Sequence, residues 1–495
     1  MTASPAPPAR AARSAVATEA ALTAVSATYR DELAAEGEIS EFPLDPYDRT
    51  GIPVVATVWD DGRRDAHGVG YGPTYDAATV GALGEVAERV LAARGLRRLP
   101  VTEGSYRELV ASRGVDGVAD PLALVIDAGA DYSPDRPLSW VPAVRWRTGE
   151  PVLVPAEFAA FDAGSLPAPA DGLVTPITNG MGAGDTVQRA VGHGLLELLQ
   201  RDGDNVVFRA LDRGVVVDLS TSTHRPTLDA LATLRAAGIE PIVKLASTEF
   251  ACVVYAVGDD THPDASPIAL GAIGEAAHPD RDTAIVKALL EFASSRARRT
   301  FAFGPVEDVA RLSPDYWKRE RDRPVGPQEP RALDAMRDWT TYDMDAMRAA
   351  LQPLFRRERT VPLADLPTSD VGDPADLLDL LLDRLAAFDV LVVPVPTSDE
   401  NMVALKVLAP GLEVETLSYL RLGERAYRAL LEQDGGLVGP GAPDRPGRLA
   451  VPLTADATER LGGPVWVDAD AVAAVVGPLY PLYREPRRHA AGRVD

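Results

Sequence analysis

Short apolar runs alternate with amphipathic helical segments along most of this chain, and that alternation limits what it can fold into. Residues 51–59, 214–219, 240–244, 251–257, 390–395 and 403–408 are short, apolar and extended in character, so they read as strands. Residues 14–34, 77–93, 186–201, 281–301 and 374–387 read as helices; on the first, Leu22, Val25 and Tyr29 fall at helical spacing. Strands and helices in alternation predict an α/β architecture. Breaks rich in Pro, Gly and Asp fall near 160–172, 320–331 and 434–448, and no internal repeat is present. The first 12 or so residues are Pro/Ala-rich and read as disordered, whereas 439–446 (GPGAPDRP) reads as a linker before a short strand-helix tail. The expected organisation is a flexible segment and helix over 1–45, a main unit over 45–435, and a linker with a proline-rich tail over 436–495.

Composition narrows the function. The 495 residues are 46% hydrophobic, enough for a large core, yet no apolar run is long enough to cross a bilayer. The first residues contain arginines but no uncharged apolar stretch, so they do not read as a signal peptide. Cys252 is the only cysteine, which excludes a disulfide framework and a Cys-based zinc site. A cytoplasmic protein is the expectation. With 73 acids against 50 bases the net charge is −23, which argues against nucleic acid as the main partner. Cys252 lies in EFACVVYAVG with no basic neighbour to lower its pKa, so a structural role is expected. His193 has only Glu197 as a nearby ligand type on its helix, too small a set for zinc; a hydrogen bond to that glutamate or to a phosphate is expected instead.

Three helices carry polar stripes. On the first, Gly81, Glu85, Glu88 and Arg89 lie opposite an apolar face of Val80, Leu83, Ala87, Val90 and Leu91. Two nearby carboxylates are either a solvated face or a ligand set. On the second, Arg189, His193, Glu197, Gln200 and Arg201 share one side, preceded by Gly180, Gly182 and Gly184, which read as a flexible turn before a helix N-terminus. That turn is neither a Walker A loop nor a dinucleotide fingerprint. On the third, Lys287, Glu291, Ser294 and Arg298 share a face, and Arg296 lies about 140° away from Glu291 at 100° per residue.

In order and spacing these pieces resemble the YcaO family. Its SxxxExxER helix, SNGxxAGNTxxEA…GLLExxERD segment, EAxQSR helix and PGLE turn are similar to GALGEVAER (81–89), TNGMGAGDTVQRAVGHGLLELLQRD (178–202), EFASSR (291–296) and PGLE (410–413). DRTGIPV (48–54), SWVPA (139–143) and LGER (422–425) are further landmarks, so the likeness spans about 45–435. The resemblance implies an α/β YcaO-type fold, with mixed sheets and helices around one nucleotide cleft. It implies ATP and Mg²⁺ as cofactors, with Glu85, Glu88 and Glu197 at the metal. Arg89, Thr178, Asp185, Arg189, Arg201, Glu291 and Arg296 would then be the nucleotide-binding set. The implied activity is ATP-dependent modification of peptide backbone amides to azolines, thioamides or amidines. The implied partners are a peptide substrate, a leader-peptide-binding protein and a second copy of the chain, with no nucleic acid and no membrane.

The sequence also departs from the family pattern. Gly81 replaces the leading Ser; Thr178, Asp185 and Arg189 stand where Ser, Asn and Glu are usual; Gln200 and Ser294 replace Glu and Gln. An arginine in place of a metal ligand repels a dication by several kcal/mol at ~4 Å and an effective dielectric of ~20. Two readings stand at this stage: a nucleotide-dependent enzyme with a remodelled site, and a non-catalytic scaffold that docks a peptide or partner. The tail PLYPLYREPRRH (478–489) resembles the proline-rich ends of azoline-forming members but is followed by six more residues.

Overall fold

The same construction occurs three times in the computed structural model, which describes residues 19–395, 403–414 and 417–493. In each case an edge strand runs into a capped helix. Asp65–Tyr71 is the edge of an antiparallel sheet with Val54–Asp60 and Glu38–Pro43, and it leads into the helix Tyr75–Leu96. Met181–Gly184 is the edge of a six-stranded sheet and leads into Val187–Asp204. Gly274–His278 is the edge of a five-stranded sheet and leads into Arg281–Phe303. Each helix begins at a short polar cap: Thr74 accepts from Ala77 N, Thr186 from Arg189 N, and Asp280 from Asp282 N and Thr283 N.

Strand and helix come very close in each unit, and glycine permits it. A Cβ on Gly70 would sit 1.9 Å from Ala78 O, and one on Gly274 would sit 2.1 Å from both Ala288 O and Phe292 N. The Gly182 contact with Ala190 O is of the same kind. This corrects the flexible-turn reading for residues 181–184, which form a strand paired with Val403–Lys406, where Gly182 serves close packing rather than an anion cradle. Gly180 keeps the turn, at φ 83°.

The strand and helix readings otherwise hold with shifted ends, as in Ile239–Ser247 and Pro374–Arg384. The mixed α/β class is as expected. The disordered start and the first residues of the 14–34 helix lie outside the described residues, which begin that helix at Glu19. The linker reading of 439–446 is corrected. Val438–Pro440 and Arg448–Ala450 flank the central strand Val465–Asp468 in a three-stranded sheet, and the Pro/Gly segment is a loop within it. Leu422, Tyr427, Leu430, Val438, Val467, Val472 and Tyr480 form one core there. Glu413, of the PGLE turn, ties this lobe to the rest. Its buried carboxylate accepts from Gly423 N (2.8 Å), Arg425 N (2.6 Å) and Ala426 N (2.9 Å), at the start of the helix Glu424–Glu432.

Cys252 is buried among Val254, Ala276, Ile285 and Leu289, and burial pushes its thiol up to about 12. No helix among the described residues is long and apolar enough to cross a membrane.

Candidate functional site

The polar stripes of the three capped helices face one cavity of about 610 Å³. Glu85 and Arg89 reach it from the first helix, Arg201 from the second, and Glu291, Ser294 and Arg298 from the third. Glu85 accepts from Val69 N (2.8 Å) and from Arg89 Nη2 (2.6 Å), and Glu291 accepts from Tyr71 Oη (3.1 Å). The strand residue Glu275 bridges Arg201 (2.5 Å) and Arg209 (3.5 Å).

Carboxylates cluster at this site. Burial, then Glu197 and Glu85, push Glu88 up to about 8. Glu197 is also raised, chiefly by burial, while Arg201, Lys406 and the Gly180 N–H oppose the shift. Burial and Glu275 push Glu291 to about 7. Lys406 is buried, donates to Ile177 O (2.5 Å), and is driven down to about 7 by desolvation. Glu88 and Glu197 therefore share a neighbourhood with Glu85, and the charge of Glu85 adds to burial in raising both.

Several guanidinium donors in the cavity wall lack partners. Arg201 Nε, Arg209 Nε and both Nε and Nη1 of Arg299 are buried without a hydrogen bond. Buried unpaired donors are costly, and phosphate oxygens are the groups that best satisfy arginine forks. Arg209 takes a left-handed backbone (φ 57°) and stacks against Phe208 and Tyr483, at 4.5 and 4.9 Å from the ring centroids. Strain of this kind gathers at functional sites.

The expected site residues separate into groups. Glu85, Arg89, Arg201 and Glu291 line the cavity, with Glu88 and Glu197 beside them. Asp185 and Arg189 are exposed and paired with each other at 2.8 Å, within electrostatic reach of Tyr29, which also feels Glu88. Thr178 contributes a turn: its carbonyl accepts from Met181 N (2.8 Å). Arg296 is corrected. It is fully buried on the far side of its helix, bonded to Asp48 (2.8 and 3.1 Å) and Asp260 (2.7 Å), and it cannot reach a ligand in the cleft. His193 makes no hydrogen bond to Glu197, whose Oε2 accepts from Gly180 N (3.0 Å); burial and then Lys287 lower its pKa to about 4.

Sequence reasoning missed Arg209, Glu275, Arg299, Glu485 and Arg488, all of which line the cavity. Arg298 also lines the cavity; the helical stripe it shares with Glu291 is legible in the sequence, but the expected binding set leaves the residue out. Arg209 reaches the cavity through an unusual backbone angle that no periodicity encodes.

The donor set suits a nucleotide with a hard cation. Unpaired arginine N–H groups match phosphate oxygens, and clustered glutamates match Mg²⁺. Among the described residues no three carboxylate, imidazole or thiolate groups converge on one point. A dication held here would take its remaining ligands from phosphate and water, as Mg²⁺ commonly does.

The fold and cleft thus define an α/β protein built around an anion-binding cavity walled by three helices. The chain belongs to the YcaO family, whose model, described as YcaO cyclodehydratase, ATP- and Mg²⁺-binding, matches residues 69–413. An uncharacterised protein of Methanothermobacter thermautotrophicus is 27% identical over 409 residues, covering 80% of this chain and 95% of that protein. Solved structures share the fold as well. The YcaO protein of Methanopyrus kandleri bound with AMPPCP and Mg²⁺ matches with a TM-score of 0.56 and 21% identity, over 86% of this chain and 94% of that one. A heterocyclase in complex with substrate and cofactor matches with a TM-score of 0.60 and 16% identity, over 83% of this chain and 55% of that one.

Proposed function

We propose that this protein binds ATP with Mg²⁺ in the three-helix cavity and uses it to modify a backbone amide of a peptide. The observation that carries this reading is the convergence of Arg201, Arg209, Arg298 and Arg299 with Glu85 and Glu291 on one cavity, three of these arginines keeping buried N–H groups without a partner. ATP–Mg²⁺ would supply a transferable phosphoryl group. A Cys, Ser or Thr side chain, or an external nucleophile, adds to the amide carbonyl. The amide oxygen then takes the γ-phosphoryl, with ADP as leaving group. Loss of phosphate breaks the C–O bond and leaves C=N in an azoline or amidine, or C=S when sulfide is the nucleophile. Arg201, Arg209, Arg298 and Arg299 would neutralise phosphate charge, and Glu85, Glu88 and Glu197 would hold the cation. The peptide would be presented by a separate leader-binding protein.

The Asp185–Arg189 pair favours this enzyme reading over the scaffold. The positive charge at the departed ligand position is already neutralised by Asp185 at 2.8 Å. Titration of a non-hydrolysable ATP analogue with and without Mg²⁺ tests the proposal, using wild type, Arg201→Met and Glu88→Gln. Micromolar, Mg²⁺-dependent binding that falls at least tenfold in both variants is expected. Absence of binding by folded wild type, or indifference to both substitutions, supports the scaffold instead.

A further inference from the structure

The C-terminal segment closes one wall of the cavity and places a single carboxylate among its arginines. Glu485 is the only acid between Asp470 and Asp495, in a stretch otherwise rich in arginine. Its oxygens accept from Arg298 Nη1 (2.6 Å) and Nη2 (3.1 Å), and Arg299 Nη2 lies 3.0 Å away. Burial alone would raise this carboxyl, but Arg298 and Arg299 outweigh burial and hold it at about 2.

The segment is also anchored on either side of Glu485, so that residue is its contact to the arginines in between. Upstream, Trp339 Nε1 donates to Pro478 O (2.8 Å) and Tyr483 Oη accepts from Ala210 N (3.1 Å). Downstream, Arg487 meets Asp65 and Glu320, each at 3.3 Å, and Arg488 meets Asp65 at 2.9 Å. His489 N donates to Ala302 O (2.7 Å). Glu485 also satisfies its arginines poorly, because Arg299 Nε and Nη1 and Arg209 Nε stay unpaired with it present. One carboxylate has two oxygens and one charge, whereas a phosphate group offers three oxygens and more charge to the same forks. Both Arg298 and Glu485 retain solvent access, with side chains 36% and 26% exposed, so their contact can exchange.

We propose that Glu485 is a resident anion in the phosphate-binding arginine set, and that it sets the cavity's affinity and charge specificity by competing with a ligand's phosphate oxygens. The idea rests on the anion-binding reading of the cavity given above. Ligand phosphate and the Glu485 carboxylate exclude one another, and occupancy releases the wall around residues 482–488.

Inorganic pyrophosphate tests this without the nucleotide reaction. By calorimetric titration, Glu485→Gln should bind pyrophosphate at least tenfold more tightly than wild type; equal or weaker binding overturns the proposal. Wild type itself provides a second measurement, in case the variant folds poorly. Saturating pyrophosphate should raise amide exchange across 482–488, and unchanged or slower exchange there overturns the proposal. An ATP–Mg²⁺ arm separates the two ideas. Pyrophosphate results as expected, with no ATP–Mg²⁺ binding, leave the competition standing and remove the proposed reaction. ATP–Mg²⁺ binding with pyrophosphate indifferent to Glu485 does the reverse.

Discussion

Arg296 and Arg298 are two residues apart on one helix and have opposite fates. Arg296 is sealed between Asp48 and Asp260, and Arg298 opens onto the cavity. Replacing Arg296 by Met leaves the buried carboxylate of Asp48 without its guanidinium, while Asp260 keeps Arg49, and removing one partner of a buried ion pair costs about 3–5 kcal/mol. Denaturant unfolding should register that loss, while the folded fraction keeps its nucleotide affinity. An affinity drop in folded protein would return Arg296 to the site. The helical period held this answer, because Arg296 lies about 140° from Glu291 and Arg298 does not. The family pattern identified an arginine, whereas the period says which way it points. Cys252 was equally legible, since an apolar strand with no basic neighbour leaves a thiol protonated. With its thiol held at about 12, native protein should react with a thiol reagent orders of magnitude more slowly than unfolded protein. Rapid native labelling would contradict burial at this position.

At the scale of elements, helices were readable and the strands feeding them were not. The 3.6-residue period over 77–93, 186–201 and 281–301 located all three site helices. Met181–Gly184 is four residues long with glycine at alternate positions, so it has neither β-branched residues nor an apolar period of two. Its strand character comes from pairing with Val403–Lys406, which is tertiary information. The 439–446 segment misleads for a related reason: Pro and Gly mark a sheet loop and an open linker alike. The glycine contacts give this scale its prediction. Gly274→Ala puts a methyl group 2.1 Å from two backbone atoms of the helix that carries Glu291 and Arg298. Backbone cannot rotate away as a side chain can, so the helix must shift, at a cost of roughly 1–3 kcal/mol or more. The variant should melt several degrees lower and also lose nucleotide affinity, although residue 274 touches no ligand. A lower melting point with unchanged affinity would mean that the helix does not need this seat to place its stripe.

Across the whole molecule the C-terminal segment is the connection that joins distant parts. It leaves the small three-stranded lobe, passes the third site helix at Glu485, and ends against the first sheet and the helix Pro314–Glu320. Its attachment depends on protonation. His489 is buried, shares a hydrogen bond with Tyr316 Oη (3.0 Å), and is pushed down to about 3 by desolvation, then by Arg488, Arg493 and Arg487. His67, beside Arg488, is likewise driven well below its usual value by burial and that arginine. A histidine whose folded pKa is depressed is neutral when docked and takes up a proton when released. Its contribution is therefore complete above the ordinary value near 6.5 and declines as pH falls from there toward the folded value. Glu485 acts in the same sense at lower pH, because a carboxyl held at about 2 loses its contribution as pH falls from about 4.5 toward 2. Glu88 and Glu291, at about 8 and about 7, work the other way for the molecule as a whole: their folded forms bind protons more readily, which favours the fold as pH drops. His193 and His278, each held at about 4 chiefly by burial, act in the same sense as His489, so the raised carboxyls offset them and global stability should fall less between pH 7 and 5 than the docking of the segment does. One pKa unit corresponds to about 1.4 kcal/mol, so amide protection across 482–493 should fall roughly tenfold or more per pH unit below about 6.5. Protection elsewhere, in strands such as Pro137–Arg145, should change much less over the same range, once intrinsic exchange rates are corrected for pH. Uniform loss throughout the protein would place the acid-sensitive step in the core, and constant protection of the segment would mean that His489 and His67 do not govern its docking.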